Sequence, residues 1–301
     1  MISNFYLFLL IGGLTGIGTV LLELNKSFDN NNILKDIIKT LLSLTEEFNY
    51  NGTMLPNFFI IYDKFIEDGV ISDKKCELLD QGMAHGISGP LSFLSLSLKD
   101  GIEMPGQKES IKYILNFLKI YNYENELGIW WYGRLTLGEF KKIERSKVKN
   151  RASWCYGSPS IARSIFIASN LLKDSEGSEL SLRCFNKLCS LSPKDLLLIS
   201  PTICHGLSGL IMILTEMYRD TNKNLYKLTI DKYISELLTF NNSNYILNFQ
   251  NYDVENVLLG KTNIINKNDI GLIDGSLGVL LTLLDYLTPN CNSFKRIFLI
   301  N

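Results

Sequence analysis

The run Cys204-His205-Gly206-Leu207-Ser208-Gly209, followed at once by Leu210-Ile211-Met212-Ile213-Leu214, sets the reading of the whole chain. A glycine turn leads into a short apolar stretch with no charge. The same punctuation recurs upstream as Gly13-Leu14-Thr15-Gly16, Gly86-Ile87-Ser88-Gly89 and Gly157-Ser158-Pro159-Ser160, and downstream as Gly275-Ser276-Leu277-Gly278. The first glycines are 73, 71, 49 and 69 residues apart. Each turn opens onto a run poor in charge: Ile17–Leu22, Leu91–Leu98, Ile161–Leu172, Leu210–Leu214 and Val279–Leu284. A helix that is apolar on nearly all sides is buried all round.

Between these runs lie segments with amphipathic spacing. Leu34, Ile37, Ile38, Leu41 and Leu42 fall at i, i+3, i+4, i+7 and i+8, with Lys35, Asp36 and Lys39 on the opposite face. Ile111, Ile114, Leu115 and Leu118 repeat the pattern, as do Ile230, Tyr233, Ile234, Leu237 and Leu238, and less regularly Leu180, Leu182, Phe185, Leu188 and Cys189. The alternation is outer amphipathic helix, glycine turn, inner apolar helix. Helix pairs that each bury one member stack into a solenoid or a double ring. Glycine at the turns fits a chain that must bend sharply, through positive φ, and bring backbone against backbone. Strand signals are few; Asn244–Phe249 and Arg296–Ile300 are the best of them.

Composition narrows the function. The chain has 301 residues, 46% of them hydrophobic, with 30 basic and 31 acidic residues and a net charge of −1. It lacks the basic excess that a phosphate backbone demands, which argues against nucleic acid as a partner. Six cysteines are too sparse for a disulfide-stapled scaffold, and two histidines exclude a three-histidine metal centre. Phe5–Leu22 is uncharged and long enough to raise a membrane span, but Gly12, Gly13, Gly16 and Gly18 interrupt it, and no Lys or Arg precedes it as in a secretory signal. The expectation is a cytoplasmic protein with reduced thiols.

The reactive residues ride on the repeated turns. His85 precedes Gly86, Cys155 and Tyr156 precede Gly157, and Cys204 and His205 precede Gly206; Gly12 and Asp274 hold the place before the first glycine of the first and fifth turns. If equivalent turns gather at one end of a helical ring, these side chains converge. Cys155, Cys204 and His205 then offer two thiolates and an imidazole, a zinc set with its fourth position open. The spacing is not that of a zinc finger. On residue type alone, two buried packing cysteines and a hydrogen-bonded core histidine remain the other reading.

Met83-Ala84-His85-Gly86-Ile87-Ser88-Gly89, Arg151-Ala152-Ser153-Trp154-Cys155-Tyr156-Gly157 and Cys204-His205-Gly206-Leu207-Ser208-Gly209 together resemble the signature motifs of the lanthionine synthetase C-like (LanC) family, the lantibiotic cyclases. The resemblance runs from about Phe5 to the C-terminus. It implies an all-α fold, an (α/α) toroid, with residues 1–301 as one domain that lacks the N-terminal part of the usual family domain. It also implies a reaction, the addition of peptide cysteines to dehydroalanine and dehydrobutyrine to make lanthionine and methyllanthionine thioether rings. By resemblance, Cys155, Cys204 and His205 hold one Zn2+ per chain. His85, Arg151 and Tyr156 are the catalytic residues, and Trp154 contacts substrate. The implied partners are a dehydrated precursor peptide, a dehydratase and an ABC transporter, with peripheral association to the membrane through such a complex. Two other functions compete: addition of a free thiol such as glutathione to a dehydrated residue, and a non-catalytic scaffold for peptide or dehydratase.

Three features depart from the family pattern. The chain is short, the region Phe8-Leu9-Leu10-Ile11 lacks the aspartate expected near the acid/base, and Ser160 ends the Trp-Cys-Tyr-Gly-x-Pro-Gly pattern in place of glycine. Several side chains are given other roles. Trp130-Trp131-Tyr132 reads as packing, Cys76, Cys184, Cys189 and Cys291 as bystander thiols, and the basic stretch Lys141 to Arg151 as a solvated loop, with a peptide groove as its alternative. Asp63, Asp253 and Asp274 are acids without an assigned part.

Overall fold

A computed structural model describes residues 7–25, 27–28, 31–62, 65–67, 70–72, 76–141, 150–245, 247–255, 263–288 and 294–301. Asp63, Cys291 and most of the basic stretch, residues 142–149, lie outside the described residues. Helices alternate between inner and outer positions as the spacing predicts. Inner α1 (Leu14–Leu24) pairs with outer α2 (Asn31–Leu42), and inner α3 (Ser88–Lys99) with outer α4 (Gln107–Ile120); α5 (Leu137–Lys141) is a short connector. Inner α6 (Ser158–Leu172) pairs with α7 (Ser175–Leu188), inner α8 (Leu207–Thr221) with α9 (Asn224–Leu238), and α10 (Ser276–Leu287) is the fifth inner helix. The inner helices pack in chain order, α1 on α3, α3 on α6, α6 on α8 and α8 on α10, as the inner wall of an (α/α) toroid.

The outer helices bury the stripe that their periodicity marks. Leu34, Ile37, Ile38 and Leu41 of α2 are buried, as are Ile111, Ile114, Leu115 and Leu118 of α4 and Ile230, Tyr233, Ile234 and Leu237 of α9. Inner α3 and α8 are buried without a break over Ser88–Ser97 and Leu207–Leu214. The first and last inner helices differ from the expectation of all-round burial. Ile17, Val20 and Leu24 of α1, and Leu277, Leu280, Leu284 and Leu287 of α10, are exposed along one face.

Each glycine turn is itself a helix start. Gly13, Gly157, Gly206 and Gly275 are N-caps with extended backbone, and the second glycine falls inside the first helical turn. These glycines do not adopt the positive φ that the sequence suggests. Close approach demands them instead. A Cβ on Gly16, Gly209 or Gly278 would strike the carbonyl oxygen of the residue six earlier. Ser160 occupies the corresponding place in the third turn, buried, with its hydroxyl donating to Gly157 O at 3.0 Å.

The turns are joined edge to edge by main-chain hydrogen bonds between equivalent positions. Ile11 N–H donates to Ala84 O (3.1 Å), Ala84 N–H to Cys155 O (3.1 Å), Cys155 N–H to Cys204 O (3.1 Å) and Cys204 N–H to Ile273 O (3.0 Å). Each of these residues lies two before the first glycine of its turn. This ladder brings residues far apart in sequence to one end of the inner helices.

Among the described residues the helical reading misses eleven strands of three to five residues, paired as antiparallel hairpins and one three-stranded sheet of Ile60–Tyr62, Cys76–Asp80 and Arg134–Thr136. Strands this short carry too little alternation to be read. Neither expected strand forms among the described residues. The described residues of 244–249 form turns, with Asn248 at φ 63°, and Phe294–Phe298 is a 3-10 turn. That last segment is buried among the inner helices. Phe298 meets Trp154 edge-on, with ring centroids 5.2 Å apart. Arg163 of α6 donates to Ile300 O (2.6 Å) and pairs with Asp220 of α8. Lys295, fully buried, pairs with Asp285 of α10 (2.8 Å) and with Glu216 of α8. A buried ammonium is tolerable only with such partners.

Candidate metal and thiol-addition site

The ladder places the third, fourth and fifth turns side by side, and their leading residues supply metal donors. Single ligand atoms of Cys204, His205 and Asp274 all lie within 4.8 Å of one another. Cys155 joins them through a side-chain hydrogen bond with Cys204. That bond is the chief reason the Cys155 thiol sits below its ordinary range; the Arg151 charge adds to it and burial opposes it. Cys204 is driven the other way by the same hydrogen bond, by burial and by the negative charge beside it.

The imidazole of His205 is set by its neighbours. Nε2–H donates to Asn251 Oδ1 (3.1 Å), which also accepts from Ser200 Oγ (2.9 Å). In the neutral ring this leaves Nδ1 as the lone-pair nitrogen, and it faces Asp274 Oδ1 at 3.5 Å. An outer hydrogen bond that fixes the tautomer and presents the other nitrogen is the usual arrangement around a metal-binding histidine. Two sulfurs, one such nitrogen and a nearby carboxylate fit zinc by donor type.

Beside the donors opens a cavity of about 280 Å3, lined by Arg134, Arg151, Ser153, Cys155, Tyr156 and His205 among others. Arg151 reaches Asp253, 3.6 Å away. His85, on the second turn, lies against Tyr156 with ring centroids 5.7 Å apart. Burial, and then the Arg134 charge, lower the His85 pKa, so the ring is neutral around pH 7. The Tyr156 phenol is pushed up to about 12, by burial first and then by Asp80, and stays protonated. Arg151 and Tyr156 thus line the cavity beside the donors, and His85 lies behind Tyr156.

Trp154 is placed elsewhere. It is 1% exposed, and its indole N–H donates to Phe298 O at 3.2 Å. Its side chain turns inward from the same turn that presents Cys155, so it fills the interior rather than lining the cavity.

Sequence reasoning passes over four residues. Asp274 has a visible signal, since it occupies the position of His85, Tyr156 and His205 in its own turn. Arg134 and Asp80 have none. They arrive opposite one another on two strands of the three-stranded sheet. Asp80 is buried beneath the second turn, accepts from Gly82 N–H (2.8 Å), and is raised by that burial to about 7. Asn251 comes from a hairpin strand, Asn251–Glu255. Among the described side chains, the thiols of Cys184 and Cys189 stay apart, buried on or next to α7. Trp130 and Trp131 are packed, with their indoles bonded to Asn125 and to Leu118 O.

The family model for lanthionine synthetase C-like proteins matches residues 7–299. The chain belongs to the lanthionine synthetase C-like family. Within it, the nisin biosynthesis protein NisC of Lactococcus lactis subsp. lactis is 29% identical over 234 residues, which are 75% of this chain and 52% of that protein. The chain thus spans about half the length of this curated relative. Among solved structures, a nisin cyclase superposes with a TM-score of 0.73 at 21% identity, covering 100% of this chain and 67% of the other. That likeness carries the toroid fold of the LanC family. No helix among the described residues is long and apolar enough to cross a membrane.

Proposed function

We propose that this LanC-family chain is a lanthipeptide cyclase, which adds peptide cysteine thiols to dehydroalanine and dehydrobutyrine. The observation that carries the reading is the meeting of Cys155, Cys204 and His205 beside a cavity lined by Tyr156 and two arginines, with His85 against the Tyr156 ring. Similarity to the nisin biosynthesis protein NisC supports the substrate class, a dehydrated precursor peptide.

The addition moves one hydrogen from sulfur to carbon and needs no oxidant. The sulfur–hydrogen bond and the alkene π bond break, and a carbon–sulfur bond and a Cα–hydrogen bond form. Cys155, Cys204 and His205 would hold zinc, which when bound lowers the pKa of a substrate thiol so that it reacts as thiolate. Negative charge develops on the carbonyl oxygen next to the alkene as sulfur attacks. Arg151 and Arg134 lie on the cavity wall where a cation stabilises that charge. The Tyr156 phenol, protonated at any physiological pH, adds a hydrogen-bond donor. The neutral His85 ring can take up the thiol proton and return it to Cα. We place the reaction in the cytoplasm, with a dehydratase upstream and an exporter downstream of it.

The test uses a dehydrated precursor peptide incubated with zinc-loaded protein, followed by thiol alkylation and mass measurement. Cyclisation removes alkylatable thiols without changing the mass. Thiols that persist with zinc bound would overturn the cyclase reading in favour of a scaffold.

A further inference from the structure

The residue just before the first glycine is polar and chemically capable in four of the five turns: His85, Tyr156, His205 and Asp274. The first three take part in the site as described. Asp274 has been left with no part, yet its place is the most telling. Its Oδ1 is shielded from solvent and lacks a partner of good hydrogen-bond geometry, the carboxyl meeting only the Cys204 thiol and the His205 ring among the described residues, while the rest of the side chain remains partly exposed. The neighbouring carboxylates are engaged elsewhere: Asp253 with Arg151, and Asp269 with the Gly271 amide at 2.6 Å. The shielded oxygen faces the lone-pair nitrogen of His205 and the Cys204 sulfur within the 4.8 Å group. A buried, unsatisfied oxygen costs free energy unless something electropositive meets it.

We infer that Asp274 is the fourth metal donor of this chain, closing the position that Cys155, Cys204 and His205 leave open. This rests on the metal reading under the proposed function. Two thiolates, one imidazole and one carboxylate complete a tetrahedral set for zinc. The set has one hard oxygen among softer donors, and it is the oxygen that a sulfur ligand most readily replaces. Asp274 would therefore guard the centre against water and stray ligands while remaining displaceable by a thiol.

The experiment measures zinc affinity by competition with a chromophoric chelator in the full chain and in Asp274→Ala and Asp274→Asn. It then titrates 2-mercaptoethanol into the cobalt(II)-substituted proteins and follows the sulfur-to-cobalt charge-transfer band. The expected result is a zinc affinity about 10–100-fold weaker in Asp274→Ala, with the thiol band appearing at lower thiol concentration than in the parent. Asp274→Asn keeps the size of the side chain, so it carries the test if the alanine variant unfolds; it too should bind zinc more weakly. A parent that binds one zinc, with variants that bind it equally tightly, would overturn the inference alone. A parent that binds no zinc would overturn the metal reading together with it.

Discussion

His205 shows how much of the chemistry depends on residues that carry none of it. Asn251 and Ser200 fix which nitrogen is free, and the fixed ring is what makes the adjacent cysteine and carboxylate a set. Asp80 acts on the site from below. Its carboxyl is buried under the turn that bears His85 and has a folded pKa of about 7 against an ordinary 3.8. A raised acid pKa means that the folded state binds the extra proton between those two values. The stability contributed is complete below about pH 4 and is lost as pH rises through about 7. Asp80→Asn keeps the acceptor for Gly82 and removes the ionisation. It should therefore be more stable than the parent at pH 8, by as much as about 4 kcal/mol, and the gap should close towards pH 4. Urea titrations at the two pH values measure this, and equal gaps at both would contradict it. Cys155, Cys204, His205 and His85 are legible because they sit at fixed places on a repeat. Asp274 is legible in position but not in role, since nothing in one chain says which acids are left unpaired. Asp80, Arg134 and Asn251 are not legible at all. Strand pairing brings them in, and those strands are too short to announce themselves.

At the scale of elements, the helix pairs are readable because amphipathic spacing and burial are two views of one requirement. The helix starts are readable only in part. The glycines mark the right places, but the reason is steric: the second glycine lets the helix start ride on a carbonyl six residues back. Gly209→Ala should accordingly cost about 1–3 kcal/mol of stability, since the methyl group meets backbone oxygen at Ile203. Ser160→Gly, at the equivalent place in the third turn, should change stability by less than about 1 kcal/mol. Denaturant midpoints for the pair of variants decide it, and a harmless Gly209→Ala would show that the turn has room. The segment 294–301 is the element least like its reading. An alternating pattern suggests a strand, but Lys295 and Arg163 pin it between helices through buried ion pairs and a carbonyl. Trp154, expected to face substrate, closes over the same segment.

For the whole molecule, the first and last inner helices are the exception to an otherwise buried wall. Ile17 and Val20 on α1, and Leu277, Leu280 and Leu284 on α10, are each close to half exposed. Apolar stripes of this kind drive self-association and dye binding. Leu280→Lys should leave thermal stability within about 0.5 kcal/mol of the parent and reduce both aggregation and binding of a hydrophobic dye. A large loss of stability would mean that this face is covered in solution. The ladder of main-chain bonds between turns also has a meaning in time. Its links join positions 11, 84, 155, 204 and 273, so each one closes a loop of 49 to 73 residues. Contacts so distant in sequence form slowly and after local ones. Helix pairs can dock early, but the turns meet only when neighbouring pairs have found one another. A refolding chain thus acquires its secondary structure first and the meeting of its turns last, and under the proposed function zinc uptake would time that last step.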